Sequence, residues 1–161
     1  RFNGLPTRTK LEILVQAGRL PLGAVTEVTT RKQELTLTLA AHWEPDLQRI
    51  ELLQVLCKRF LLGCVTNCTW RNAELLLQAS QLRPYLGLVV TSDDVLRPKP
   101  DPEGYRKACK QLEVGPGEVL AIEDHAYGAE AAQGAGCKTL VVPTYGELTL
   151  ELVETCLKTL M

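Results

Sequence analysis

Only two histidines, His42 and His125, occur in 161 residues, which excludes a His-rich zinc centre. No apolar run approaches the roughly 18 residues of a membrane span. The opening Arg1-Phe-Asn-Gly-Leu-Pro6 has no signal-peptide pattern and no starting Met, which reads as a fragment or a processed chain. Neither sign of charge is in excess: 18 Lys and Arg stand against 19 Asp and Glu, for a net charge of −1, and the basic residues are scattered. That pattern suits neither a nucleic-acid surface nor an anionic membrane. Six cysteines contain no C-x-x-C, and Cys64-x-x-x-Cys68 has no His nearby. Several fall on expected core faces, where a free thiol behaves as a small hydrophobe. Reduced thiols in an intracellular, cytoplasmic protein are the expectation. There is no internal repeat or low-complexity segment.

What is present is an ordinary globular balance, 45% hydrophobic and 23% charged, in a chain long enough for one cored domain with an appendage. Residues 1–43 read as helical. One helix runs from Thr7 to Val15 behind Pro6, and a second from about Thr26 to His42 carries a moderate stripe of Leu35, Leu37, Leu39 and Ala40. Two helices this short need another body to pack on. From residue 44 the pattern changes. Short apolar runs at Phe60–Val65, Leu86–Val90, Val119–Ile122 and Lys138–Val142 lack polar alternation, as strands buried on both faces do. Helices are expected between them: Leu47–Arg59 capped by Asp46, Glu74–Leu82, one opened by Pro102, one rich in Ala and Gly after Gly128, and a last from Leu148 to Leu160. The alternation implies an α/β fold with a Rossmann-like parallel sheet and helices on both faces.

Each loop after a strand carries something polar, and ligands in such sheets bind beyond the carboxyl ends of the strands. Thr66-Asn67 offers a hydroxyl and a backbone N–H suited to an anion, or an ordinary helix cap. In Arg97-Pro98-Lys99-Pro100-Asp101-Pro102, three prolines pin the backbone around one lysine, which is useful at a phosphoryl group; a stiff exposed turn would read the same way. Glu123-Asp124 is a carboxylate pair suited to Mg²⁺, or an acidic helix start favoured by the helix dipole. Together the three fit phosphoryl transfer, where catalysis is positioning and charge neutralisation.

The order Val65-Thr66-Asn67, Lys99-Pro100-Asp101-Pro102 and Glu123-Asp124-x-x-x-Gly128-x-x-Ala131-Ala132-x-x-Ala135-Gly136 resembles the haloacid dehalogenase-like superfamily. The likeness is nearest to its branch of β-phosphoglucomutase-like phosphatases and mutases. Asn3 to Lys10 is similar to the end of that branch's helical cap. The resemblance implies a partial cap over residues 1–43 and a core over residues 44–161. It implies that Thr66 hydrogen-bonds the transferring phosphoryl group, with Asn67 adding its backbone N–H. Lys99 would neutralise charge on the nucleophile and phosphate, Glu123 and Asp124 would hold Mg²⁺, and Arg8 would contact a distal anionic group of the substrate. The implied partner is a small phosphorylated metabolite.

Two departures stand out. Family enzymes use a nucleophilic Asp in an Asp-x-Asp motif after the first, central strand. The only aspartates here are Asp46, Asp93, Asp94, Asp101 and Asp124, and none forms that motif. The expectation is a chain that lacks the first strand and its nucleophile, is inactive alone, and exposes unpaired strand edges. His125 stands where relatives usually have Ser; a helix-capping exchange is expected, with an effect on the loop or a contact to substrate as alternatives. For the parent protein the leading expectation is a Mg²⁺-dependent phosphohydrolase of phosphomonoesters working through an aspartyl-phosphate. Alternatives are a phosphomutase of the same branch, a non-catalytic scaffold, and one segment of a longer fusion.

Overall fold

The computed structural model describes residues 4–158, apart from the side chain of Tyr145. Arg1 to Asn3 at the start of the cap-like motif, and residues 159–161 at the end of the last expected helix, lie outside it.

Helices α1 (Thr7–Gln16) and α2 (Val25–Ala41) come first, close to their expected bounds. Helix α3 (Leu47–Leu56) is capped by Asp46, whose carboxylate accepts from the N–H groups of Gln48 at 3.0 Å and Arg49 at 3.2 Å. It ends three residues before Arg59, because the chain tightens into turns onto the Leu56 carbonyl. Strand β1 (Gly63–Val65) leads through a loop to α4 (Trp70–Ala79), and β2 (Leu88–Val90) through a Pro-rich loop to α5 (Glu103–Leu112). Strand β3 (Leu120–Glu123), α6 (Ala126–Ala135), β4 (Lys138–Val141) and α7 (Leu150–Lys158) complete the alternation. Helix α4 starts four residues earlier than its apolar pattern suggests. The Trp70 N–H is taken by the Asp93 carboxylate at 2.7 Å, a cap supplied from the loop after β2.

All strand pairing is parallel. Strand β1 pairs with β2, Gly63 opposite Leu88 and Val65 opposite Val90; β3 pairs with β4, Leu120 opposite Lys138 and Glu123 opposite Val141. The expected single sheet is therefore two separate pairs among the described residues. Ladder groups alternate along a parallel strand. The Thr66 N–H donates to the Val90 carbonyl at 2.8 Å, so the Val65 carbonyl points away from β2. The Glu123 carbonyl accepts from Val142 and the Val119 carbonyl from Lys138, so the backbone groups of Leu120 and Ile122 point away from β4. The sides of β1 and β3 away from their partners thus pair with no strand among the described residues. The expectation of strands covered on both faces holds for Val90, 1% exposed, but not at the β1 edge, where Gly63 is exposed and Cys64 and Val65 are half-buried.

Alternation along β3 divides the core. Ala121 faces a cluster formed with Tyr105 and Cys109 of α5 and Ala131, Ala132 and Ala135 of α6. Leu120 and Ile122 face Leu52 and Leu56 of α3 and Val153 of α7. Helices therefore cover both faces, as a doubly wound fold requires. The small residues of α6 let it lie close against β3 and α5; Ala131 and Ala132 are fully buried. Outside this core, α2 packs against α4.

Replacing Ala132 by Leu puts three extra carbons where no space exists. A loss of about 1–3 kcal/mol of stability is expected, measured as a lower urea midpoint with unchanged slope.

Candidate active site

The loops leaving β1, β2 and β3 and the N-terminal segment around α1 line one cavity of about 870 Å³. Thr66, Asn67, Lys99, Glu123, Asp124 and Arg8 all border it, so the structure brings every sequence-derived candidate to one place.

Lys99 is the centre of the arrangement. Its ammonium donates to the Val65 carbonyl at 2.7 Å, on the open edge of β1, and to Glu123 Oε1 at the end of β3. Both side chains of this ion pair are only 10% exposed. Glu123 Oε1 also accepts from the Tyr105 hydroxyl, a buried group of α5 that the sequence pattern marked only as core. Burial, and then the Glu123 charge beside it, push the Tyr105 hydroxyl far above its ordinary value of 10.0, so it remains a proton donor to Glu123.

The Lys99 loop is held from outside itself. Pro98 and Pro100 have no N–H, and the four amides remaining between residues 96 and 101 all find acceptors. Leu96 and Arg97 donate to the two oxygens of Glu103 at 2.9 and 3.0 Å, Lys99 to Asn67 Oδ1 at 3.0 Å, and Asp101 to the Pro98 carbonyl at 3.1 Å. These bonds lower the Glu103 carboxyl below its ordinary 4.5, the Leu96 N–H first and then Arg97. The peptide between Lys99 and Pro100 is cis. Prolines alone do not fix the lysine; Glu103 and Asn67 do so with them, and neither contact is visible in the spacing.

The Asn67 side chain holds the Lys99 loop, a contact separate from the backbone N–H that the resemblance implies for phosphate. The amide nitrogen donates to the Lys99 carbonyl at 3.0 Å, while its oxygen takes the Lys99 N–H. The Thr66 hydroxyl oxygen accepts from the Cys68 N–H at 3.1 Å. A hydroxyl accepting in this way keeps its own proton to donate.

At the end of β3, Glu123 lies over the first turn of α6. A Cβ on Gly128 would sit 2.0 Å from Glu123 Oε2, so only glycine leaves that carboxylate its place. Asp124 is exposed towards the cavity. His125 caps α6, its Nδ1 accepting from the Tyr127 N–H at 3.3 Å, as the capping reading expects. Arg8 reaches the rim, with its side chain 90% exposed and its guanidinium paired to Glu12 at 2.9 Å. Such an exposed pair is worth little, so Arg8 can turn to another anion at small cost.

The loop after β2 closes the far wall. Ser92 donates to the Cys68 carbonyl from both its N–H, at 2.9 Å, and its hydroxyl, at 3.1 Å. Asp94 Oδ2 accepts from the N–H and hydroxyl of buried Thr91 at 2.9 and 2.8 Å. These bonds, and then Lys107, hold the Asp94 carboxyl below its ordinary 3.8.

A family model for haloacid dehalogenase-like hydrolases matches residues 10–142. The chain belongs to that family. It is 38% identical over 87 residues to a phosphoglycolate phosphatase from Nitrosospira multiformis, covering 54% of this chain and 38% of that protein. It is 42% identical over 88 residues to validoxylamine A 7'-phosphate phosphatase from Streptomyces hygroscopicus subsp. limoneus, covering 54% and 41%. The chain thus spans about two fifths of the length of these named relatives. Among solved structures, it superposes on β-phosphoglucomutase from Clostridium difficile with a TM-score of 0.80 at 18% identity, over 98% of this chain and 79% of that one. On CbbY from Rhodobacter sphaeroides, solved with phosphate, the TM-score is 0.67 at 29% identity, over 78% and 58%. A putative β-phosphoglucomutase from Thermotoga maritima superposes with a TM-score of 0.67 at 28% identity, over 98% of this chain and 78% of that one, so the fold is that of the haloacid dehalogenase-like hydrolases in their β-phosphoglucomutase-like branch.

Gly128→Ala is expected to cost about 1–3 kcal/mol, the range for forced overpacking. In a Glu123→Ala background the same change should instead gain roughly 0.5–1 kcal/mol, the ordinary preference of a helix for Ala over Gly. A double-mutant cycle by urea unfolding reads this reversal of sign. Because folding lowers its pKa, Asp94 contributes stability that is complete above its ordinary 3.8 and lost as pH falls through the lower folded value. Asp94→Asn should flatten the dependence of the urea midpoint on pH below about 4.

Proposed function

We propose that these residues belong to a Mg²⁺-dependent phosphohydrolase of small phosphomonoesters. The observation that carries this reading is the Lys99 ammonium, buried between the Val65 carbonyl and Glu123 and bordering the same cavity as the Thr66 hydroxyl. A fixed, largely buried cation on the same cavity as a hydroxyl donor is what a transferring phosphoryl group requires. The named phosphatases among the relatives support it.

Thr66 would donate its hydroxyl proton to a non-bridging phosphoryl oxygen. Lys99 would offset negative charge between nucleophile and phosphate, held there by Glu103 and Asn67. Among the described residues no group of three His, Cys, Asp or Glu side chains forms a metal cage. The protein's share is the Glu123–Asp124 pair, with Oε1 of Glu123 engaged by Lys99 and Tyr105 and Oε2 cradled on Gly128. Two carboxylates fit Mg²⁺, which keeps its waters and takes phosphate oxygens as its other ligands. When bound, the ion would neutralise charge on the phosphoryl oxygens.

The covalent acceptor lies outside these residues. Asp93 and Asp94, which follow β2, are engaged by the Trp70 N–H and by Thr91, and Asp124 belongs to the metal pair. The open edges of β1 and β3 would accept one further parallel strand between them, its C-terminal end opposite Lys99. An aspartate there would attack phosphorus, expel the alcohol and form the aspartyl-phosphate that water then hydrolyses. Residues 1–43 would form part of a helical cap above the core of residues 44–161, with Arg8 offered to a second anionic group on the substrate.

The test is phosphate release from a panel of phosphomonoesters by the natural-length protein, with and without Mg²⁺. Thr66→Val should lower kcat/KM by about 10²–10³-fold, the effect of losing one donor to a developing oxyanion, with an unchanged far-ultraviolet spectrum. The 161-residue chain alone should turn over none of them. Turnover that survives both Thr66→Val and Lys99→Met would overturn the reading.

A further inference from the structure

We propose that Asn67 is a positioning residue that makes the docking of the N-terminal segment and the placement of Lys99 one event. The proposal rests on the reading of Lys99 as the charge-neutralising group. It adds a dependence of that group on the segment leading into α1.

Three contacts meet on one carboxamide. Its oxygen accepts from the Lys99 N–H at 3.0 Å, and its nitrogen donates to the Lys99 carbonyl at 3.0 Å and to the Gly4 carbonyl at 2.7 Å. The partners fix which end of the amide is which: an N–H needs the oxygen, and two carbonyls need the NH₂. Both amide protons and one oxygen lone pair are thereby committed. Loss of the Gly4 carbonyl leaves an amide proton unbonded beside a half-buried loop, and rotation to recover it breaks the bonds to Lys99. A single planar group holding two segments transmits the state of one to the other.

Gly4 touches the opposite wall as well. Its φ of +80° lies in the left-handed region, and a Cβ there would sit 2.9 Å from His125 Nδ1 and 3.3 Å from the Tyr127 ring. The Gly4 backbone is therefore pressed against the residue that follows Glu123-Asp124 and caps α6, while its carbonyl holds Asn67. One peptide on the N-terminal segment contacts the loop after β1 and the loop after β3, and through Asn67 the loop carrying Lys99. With the segment seated, Lys99 is clamped from the Asn67 side; with it lifted, the clamp loses one of its three bonds and Gly4 leaves His125.

The test compares Asn67→Ala with Asn67→Asp in the natural-length protein by amide hydrogen exchange and by the rate of tryptic cleavage after Arg8. Asn67→Ala removes every contact. The peptide covering residues 96–101, with four amides, should gain one fast-exchanging amide, by about tenfold or more for the loss of one bond, and cleavage after Arg8 should accelerate. Asn67→Asp keeps the acceptor for the Lys99 N–H and loses the donors. It should protect the Lys99 amide while accelerating cleavage after Arg8 as much as the alanine variant does. A third variant, Gly4→Ala, should accelerate the same cleavage, and His125→Ser, which keeps a capping oxygen, should partly reverse it. In turnover, Asn67→Ala should lower kcat and kcat/KM together by about 10–100-fold, as for a displaced catalytic group. An unprotected Lys99 amide in neither variant, or identical exchange and cleavage in both, would overturn the coupling. Full turnover by Asn67→Ala would overturn its positioning role, whereas the expected exchange and cleavage in a natural-length protein that releases no phosphate would uphold the coupling and overturn the phosphoryl-transfer reading.

Discussion

The ion pair between Lys99 and Glu123 is the interaction on which the rest of the site depends. Taking two charges out of water costs several kcal/mol per ion and is offset only when further hydrogen bonds complete the shell. Here the Val65 carbonyl completes Lys99 and the Tyr105 hydroxyl completes Glu123. Removing one partner would strand the other, at a cost of about 3–5 kcal/mol. An exposed pair such as Arg8–Glu12 is worth roughly 0.2–1 kcal/mol. That difference in scale explains why the lysine can serve as fixed scenery while the arginine stays adaptable. The same pair ties the two half-sheets together: its cation sits on the edge of β1 and its anion at the end of β3.

Strand β3 shows how a four-residue element serves two cores and a site at once. Its alternation sends Ala121 to the Ala-rich face of α6 and Leu120 and Ile122 to α3 and α7. The next residue, Glu123, ends the apolar run with a charged group that is itself largely buried. The small side chains of α6 bring its first turn so close that Gly128 must make room for the carboxylate. Close packing and the placement of a charged group thus have one cause.

Much of this was legible in the chain. The four apolar runs, the Asp46 cap, the buried face of Tyr105, Ala108 and Cys109, and the grouping of Thr66, Lys99 and Glu123-Asp124 at strand ends follow from periodicity and from where parallel strands put their loops. Helix boundaries were less legible where a distant residue sets them: Asp93 caps α4 from 23 positions away. Tyr105 was readable as core and not as a hydrogen-bond donor, because periodicity reports a face and not the reach of a hydroxyl. Asn67 was readable as a loop residue, but its partners Gly4 and Lys99 are 63 and 32 positions distant, and no local signal records them.

The loop around Lys99 has one more consequence, which lies in the unfolded chain. Pro98, Pro100 and Pro102 restrict three of the torsions that ordering the loop would otherwise have to freeze, so less conformational freedom is lost when it folds. They also remove three amides that would need acceptors or water on burial. A loop that loses little freedom on closing gains little by opening. Its resting population is therefore weighted towards the closed form, and the lysine keeps its position through fluctuations that would scatter a glycine-rich loop of the same length.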